Sequence, residues 1–191
     1  MLFRSGYKFL GPHCAVLGAS PALLETIVPD KLLPSTNVVP ERFELGTLPY
    51  ELLAGVTAAV DVLASLAPAA TGDRRARLRA AFHLLDAHEL RLRRRIEDGL
   101  AAFGDAVVLH SRAADRTPTL FLTMPGRRTA DAAAFLAARE VHAPAGSFYA
   151  YEAFRRLGVD DPNGLRIGIA AYTDDADVTR LLEGLAAFLG R

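Results

Sequence analysis

Ser5-Gly6-Tyr7-Lys8-Phe9-Leu10-Gly11-Pro12-His13 holds one of only two lysines in a chain with 22 basic residues, the other being Lys31. Lysine and arginine are not interchangeable: an ammonium on a flexible stem can lose its proton and attack a carbonyl, whereas a guanidinium stays charged. Lys31 sits in a turn-like Pro29-Asp30-Lys31 setting that asks for no more than a surface role. Taken alone, Lys8 would also be assigned a surface or snorkelling role. Gly11-Pro12 is a strong turn signal, and Ala15-Val16-Leu17 reads as a short buried strand. Residues 2–18 are thus expected to form two short extended pieces joined by a turn.

Beyond that turn, Ser20-Pro21 opens a short helix through Leu24 and Ile27, with Ser20 as its N-cap and Pro21 in the first helical position. A proline-rich loop, 29–40, leads to Arg42-Phe43-Glu44-Leu45-Gly46-Thr47, and Thr47 is expected to cap the following helix. Leu52, Leu53, Val56, Ala59, Val60 and Leu63 recur at helical spacing and predict one broad buried face. Ala67-Pro68-Ala69-Ala70-Thr71-Gly72 is the natural internal boundary. After it, Leu78, Phe82, Leu85, Leu92, Ile96, Leu100 and Phe103 form a stripe on a long helix. Arg91, Arg93, Arg94 and Arg95 lie among Asp86, Glu89, Glu97 and Asp98, the pattern of a solvated helix face. Strands are expected at 107–109, 119–122 and 165–169, with helices at 130–138, around 151–157, and around Val178 to Leu189 behind Asp174 and Asp175. Residues 142–148 read as irregular. Strands alternating with helices make the second part a small α/β domain.

Composition bounds the function. A chain of 191 residues with 51% hydrophobic and 23% charged residues is an ordered globular sequence. The 22 basic and 22 acidic residues cancel, so net charge gives no reason to expect nucleic acid or an anionic membrane as partner. No apolar run approaches the roughly eighteen residues of a membrane span, and Met1-Leu2-Phe3-Arg4-Ser5 leads into no signal-peptide core. A single cysteine, Cys14, cannot form an internal disulfide. The expected location is cytoplasmic.

Three blocks carry a resemblance. Ser5-Gly6-Tyr7-Lys8 through His13 resembles the cofactor-lysine motif of class V aminotransferases and cysteine desulfurases. That implies that Lys8 holds pyridoxal 5'-phosphate (PLP) as an internal aldimine and later moves the substrate α-proton, while Ser5 helps hold the phosphate. Pro40-Glu41-Arg42-Phe43-Glu44-Leu45-Gly46-Thr47 is similar to the family's Arg-Phe-Glu-x-Gly-Thr motif, whose threonine reaches the phosphate of a neighbouring subunit's cofactor in dimeric relatives. Gly46 and Thr47 are therefore implied as cofactor-binding; a glycine that lets the backbone approach and a hydroxyl at a helix N-terminus both suit an anion. Arg166-Ile167-Gly168-Ile169-Ala170-Ala171-Tyr172-Thr173 is similar to the family's C-terminal strand, where the arginine binds the substrate α-carboxylate. Its planar fork suits two parallel hydrogen bonds to a carboxylate. Thr173 stands where many relatives have asparagine, which bears on the turn more than on Arg166.

The resemblance implies an α/β protein of the fold-type I PLP-dependent transferase architecture, present in part. Residues 1–70 would be the end of the large, cofactor-binding domain with its connecting helix, and 71–191 the small C-terminal α/β domain. The implied activity is transfer or elimination on a small amino-acid substrate, in a homodimer or a complement with an N-terminal half. That half would carry the aspartate that pairs with the pyridine nitrogen, the ring-stacking residue and part of the phosphate cup. Desulfurases supply a thiolate from a loop shortly before the arginine strand; Ala145-Gly146-Ser147-Phe148-Tyr149-Ala150 holds none and is similar to a desulfurase-like subgroup. Cys14 reads as a small buried hydrophobe, and His13 as structural or as a donor behind the site. A different class remains open beside the enzyme: a non-catalytic remnant that serves as a binding or dimerisation module.

Overall fold

Leu120 and Leu122 are fully buried while Phe121 between them is not, and Leu165 and Ile167 are buried while Arg166 is exposed. This two-residue period is that of strands covered on one face. The computed structural model describes residues 2–44, 46–110, 113–159, 161 and 163–191. These form two units, 1–82 and 83–191.

In the second unit, strands β3 (Val108–Leu109), β4 (Leu120–Thr123), β5 (Ala145–Gly146) and β6 (Gly164–Ile167) make a sheet of order β3-β4-β6-β5, antiparallel throughout. Numbering the helices along the whole chain, α3 (Arg74–Ala101) enters this unit with its later turns, and α4 (Thr129–Ala137), α5 (Tyr151–Arg156) and α6 (Asp175–Leu189) lie within it. Leu92, Ile96 and Leu100 of α3, Leu136 of α4, and Val178, Leu181, Leu185 and Leu189 of α6 share one core with Leu120, Leu122, Leu165 and Ile167. Helices therefore cover the leucine face of the sheet. Close approach is bought with small residues: a Cβ on Gly99 would lie 2.5 Å from Leu182 Cδ1, and one on Gly184 2.7 Å from Leu136 Cδ2. Asp174 and Asp177 form a capping box at the start of α6, each side chain accepting from the other's backbone N–H.

Two expectations for this unit change. The stretch 142–148 contains a strand, β5, which neither composition nor periodicity marks; Ala145 and Gly146 are extended because β6 pairs with them and the Arg166 N–H donates to Pro144 O at 2.9 Å. The arginine face of α3 is solvated at Arg91 and Arg94, as expected, but it is also partnered, and Arg93 is an exception to it. Arg91 and Arg95 both reach Asp175 Oδ1, at 2.8 and 2.9 Å, and Arg95 also donates to Thr179 Oγ1 at 2.6 Å. Arg93 is buried, donating to Arg116 O at 3.1 Å beside Glu97. Charge spacing along one helix cannot reveal that α6 starts beside it.

In the first unit, β1 (Leu2–Ser5) pairs antiparallel with β2 (Ala15–Gly18) across a 3-10 turn, Gly6–Phe9. Helix α1 (Pro21–Glu25) begins as expected, with the Leu23 N–H donating to Ser20 Oγ and Pro21 in the first turn. Helix α2 (Tyr50–Ser65) buries Ala59 and Leu63 and half-buries Leu52, Leu53, Val56 and Val60. The strand β2 forms where expected but is exposed along its length, Val16 and Leu17 included. An apolar run is buried only when layers cover it, and this two-stranded sheet supplies none on its own.

Candidate functional site

Strand β1 ends at Ser5, and the backbone then tightens into the turn that carries Lys8. Two glycines permit this. A Cβ on Gly11 would stand 2.8 Å from Gly6 O, which accepts the Gly11 N–H at 2.9 Å; a Cβ on Gly6 would meet Val56 Cγ2 at 3.0 Å and Pro12 O at 3.1 Å. The Gly6 N–H donates to Cys14 O at 2.7 Å and closes the loop. Helix α2 backs the turn, with Gly55 leaving room for Pro12. Lys8 thus rises from backbone held on both sides.

Its side chain is exposed, and its only recorded contact among the described residues is the ring of Tyr7, 5.5 Å from Nζ to the centroid. Lys31, by contrast, donates to Ser35 O at 2.6 Å and is a loop fastener. His13 stacks on Tyr7 with centroids 4.5 Å apart and planes 22° apart, which fits a structural role. Cys14 is half-buried rather than buried. Its backbone shapes the turn, and its thiol lies 3.9 Å from Ala15 O.

The second block splits in its use. Arg42 pairs with Glu25 and donates to Ile27 O at 3.4 Å, tying the Glu41–Phe43 turn to the end of α1. Gly46 has φ +74, and a Cβ there would meet nothing within 4 Å, so its glycine answers a left-handed backbone rather than a close approach within the described residues. Thr47 does not cap α2. Pro49 holds that position, and its carbonyl accepts from Leu52 and Leu53 at 3.0 Å. The ring of Pro49 disfavours helical backbone at Leu48 before it, which moves the first turn beyond Thr47. Thr47 is exposed on the bend before the helix. Leu45 of this block lies outside the described residues.

Arg166 belongs to the second unit. On β6 it stands opposite Phe121 of β4, on the sheet face turned away from the leucine core. Its Cζ lies 4.1 Å from the centroid of the Phe148 ring, and it forms no ion pair among the described residues. Phe121 meets Phe148 and Phe154 edge to face, at 6.4 and 5.6 Å. Gly164 makes room for it, since a Cβ there would fall 2.0 Å from Phe121 Cζ. Sequence reasoning missed this aromatic surround; Phe121, Phe148 and Phe154 come from three separate segments with no shared motif. Thr173 acts on its turn, with its hydroxyl accepting the Ala170 N–H at 3.0 Å.

Ser5, Lys8, Gly46 and Thr47 therefore lie in the first unit and Arg166 in the second. The hydroxyls of Ser5 and Thr47 have no recorded partner among the described residues. A primary amine and free hydroxyls form a donor set that suits a phosphorylated aldehyde. The described residues hold no cluster of three or more His, Cys, Asp or Glu that could hold a metal ion, and no described helix is long and apolar enough to cross a membrane.

The aminotransferase class-V family model matches residues 1–181. The chain belongs to that family. Members of the class V aminotransferase family are PLP enzymes that act on amino acids and are often dimeric. The structure is similar to that of the cysteine desulfurase CsdA (S-sulfonic acid) from Escherichia coli, with a TM-score of 0.76 and 24% identity over 98% of this chain and 45% of that one. It is also similar to the cysteine desulfurase from Thermococcus onnurineus NA1 (0.66, 20%, covering 85% and 37%) and to a NifS-like protein (0.64, 20%, covering 98% and 45%). The mixed α/β fold of this class-V chain is thus that of PLP-dependent cysteine desulfurases, and it spans less than half the length of these relatives. No curated protein sequence is significantly similar to it.

Proposed function

We propose that this chain is the C-terminal part of a PLP-dependent transferase acting on a small amino-acid substrate, with Lys8 as the residue that holds the cofactor. The observation that carries the reading is the exposed Lys8 amine, without an ion pair among the described residues, on a turn braced by α2, in a chain whose class-V match runs through that turn. When bound, PLP supplies an electron sink for charge developing at the substrate α-carbon. Lys8 Nζ would anchor it and, once released, take the proton from that carbon. The Ser5 and Thr47 hydroxyls would donate to the phosphate, with Gly46 setting the bend that presents Thr47. Arg166 would bind the substrate carboxylate through paired N–H donors. Residues 145–150 hold no thiol, so amino transfer or elimination is proposed rather than sulfur transfer.

The remaining pocket groups would come from a partner, either an N-terminal half or a second copy. Exposed Val16, Leu17, Val28 and Leu33 in the first unit favour burial by another polypeptide, and they also support a second reading, a non-catalytic binding or dimerisation module. One experiment separates the two. The purified chain is mixed with PLP, reduced with borohydride and mapped by mass spectrometry. The enzyme reading expects a stable adduct on the peptide bearing Lys8 that disappears in Lys8→Ala while the melting temperature holds. An adduct shared evenly with Lys31 rejects it in favour of the module, as does the absence of any adduct when the chain is co-expressed with the N-terminal half of a class V aminotransferase.

A further inference from the structure

We infer that Phe148 is a positioning residue for Arg166, holding the guanidinium by its aromatic face so that the N–H fork stays free for a carboxylate. The inference rests on the proposed role of Arg166 and adds to it the group that sets the arginine's pose. A long side chain on an exposed strand face samples many rotamers, and one that must meet a planar anion needs a support. An acidic neighbour would support it but occupy the same donors. An aromatic face attracts the cation without accepting its in-plane N–H groups. Here the Arg166 Cζ lies 4.1 Å from the Phe148 centroid, and no described carboxylate pairs with it.

The backbone indicates that this placement is imposed. Phe148 has φ 52 and Tyr149 φ 65, two consecutive non-glycine residues in the left-handed region, which side chains ordinarily avoid. Such a conformation persists only where surrounding contacts over-determine it, and it clusters at functional sites. The contacts are present. Phe121 abuts Phe148 edge to face with planes 88° apart, Phe154 buttresses Phe121 from another side, and Gly164 leaves the space Phe121 occupies. Phe148 is half-buried in this cluster, whereas the adjacent Tyr149 projects fully into solvent. The loop bends to bring the ring, not the phenol, under the guanidinium.

The test follows the Arg166 Nε–Hε signal by NMR in the isotope-labelled chain, assigned by its loss in Arg166→Lys, during titration with sodium propionate. A saturable shift is expected in the wild type. Phe148→Leu weakens propionate binding about two- to fivefold, the loss of an exposed cation–π contact, while Phe148→Trp keeps it. Replacing Phe148 with pentafluorophenylalanine preserves the ring's shape but removes its negative face; it gives the same loss and decides the matter should Phe148→Leu fail to fold. A wild-type signal that propionate does not move rejects the carboxylate role of Arg166 and the inference with it. Saturable binding that is equally tight with the fluorinated ring overturns the positioning role alone.

Discussion

Thr129 shows how one residue can bind distant segments. It is completely buried at the first turn of α4, where its N–H has no intrahelical partner, and Arg128 at the N-cap contributes no side-chain acceptor. Asp161, 32 positions later, accepts both the Thr129 N–H at 2.6 Å and its hydroxyl at 2.7 Å, and also takes the Asn163 N–H at 3.0 Å. Burial works to raise the Asp161 carboxyl, but the bonds from Thr129 and Asn163 and the nearby Arg128 charge outweigh it and hold the group below the usual carboxylate range. Because the folded pKa is the lower one, this contribution is full above the unfolded value of about 3.9 and fades as pH falls through the folded value. Asp161→Ala is expected to cost about 1–3 kcal/mol at neutral pH, the cost of leaving buried donors unpaired. Urea titrations of both proteins should show the gap narrowing on the acid side of that range; a gap independent of pH would show that the carboxylate charge is not what matters.

At the scale of the element, α6 combines several devices whose sequence signals differ in strength. Its apolar face, Val178, Leu181, Leu185 and Leu189, follows helical spacing and is buried as expected. Its N-terminus has a capping box, and Gly190 ends it with φ 75. Asp175 is held below the usual carboxylate range first by its hydrogen bond from Arg91, with the charge of Arg95 adding to the effect. Asp174→Ala should lower stability by about 1 kcal/mol, the ordinary value of an N-cap. Circular dichroism during thermal unfolding would measure it, and an unchanged midpoint would place the helix start under the control of Arg91 and Arg95 instead.

At the scale of the molecule, the two units differ in how completely they are covered. In the second, sheet and helices enclose one core. The first exposes Val28, Leu32, Leu33 and Val38 along its proline-rich loop and the whole of β2. Local opening tracks buried contacts and sheltered hydrogen bonds. Amide hydrogen exchange should be slowest in β4 and β6 and in the α6 turns around Leu185, and fastest across 28–40. Protection of β2 equal to that of β4 would contradict this account and would indicate that another polypeptide covers the hairpin in solution.

Most helices and the principal strands were legible because their signals are local: Ser20-Pro21 starts α1, period 3.6 marks α2 and α6, and apolar runs mark β4 and β6. The family was legible too, because Ser5 to Lys8, Gly46-Thr47 and Arg166 are contiguous blocks whose chemistry depends on residue type. What the tertiary structure alone decided involves partners far apart in the chain. Arg91 and Arg95 have no visible partner until α6 brings Asp175 beside them, β5 exists because β6 pairs with it, and Thr129 depends on Asp161. Thr47 loses the cap position to Pro49 because the proline ring disfavours a helical Leu48 before it, so the helix cannot start directly after Thr47. Phe148 reaches Arg166 only through a left-handed bend that no spacing rule encodes. A sequence specifies which contacts a residue type can make; which of them it does make is settled only when segments meet in space.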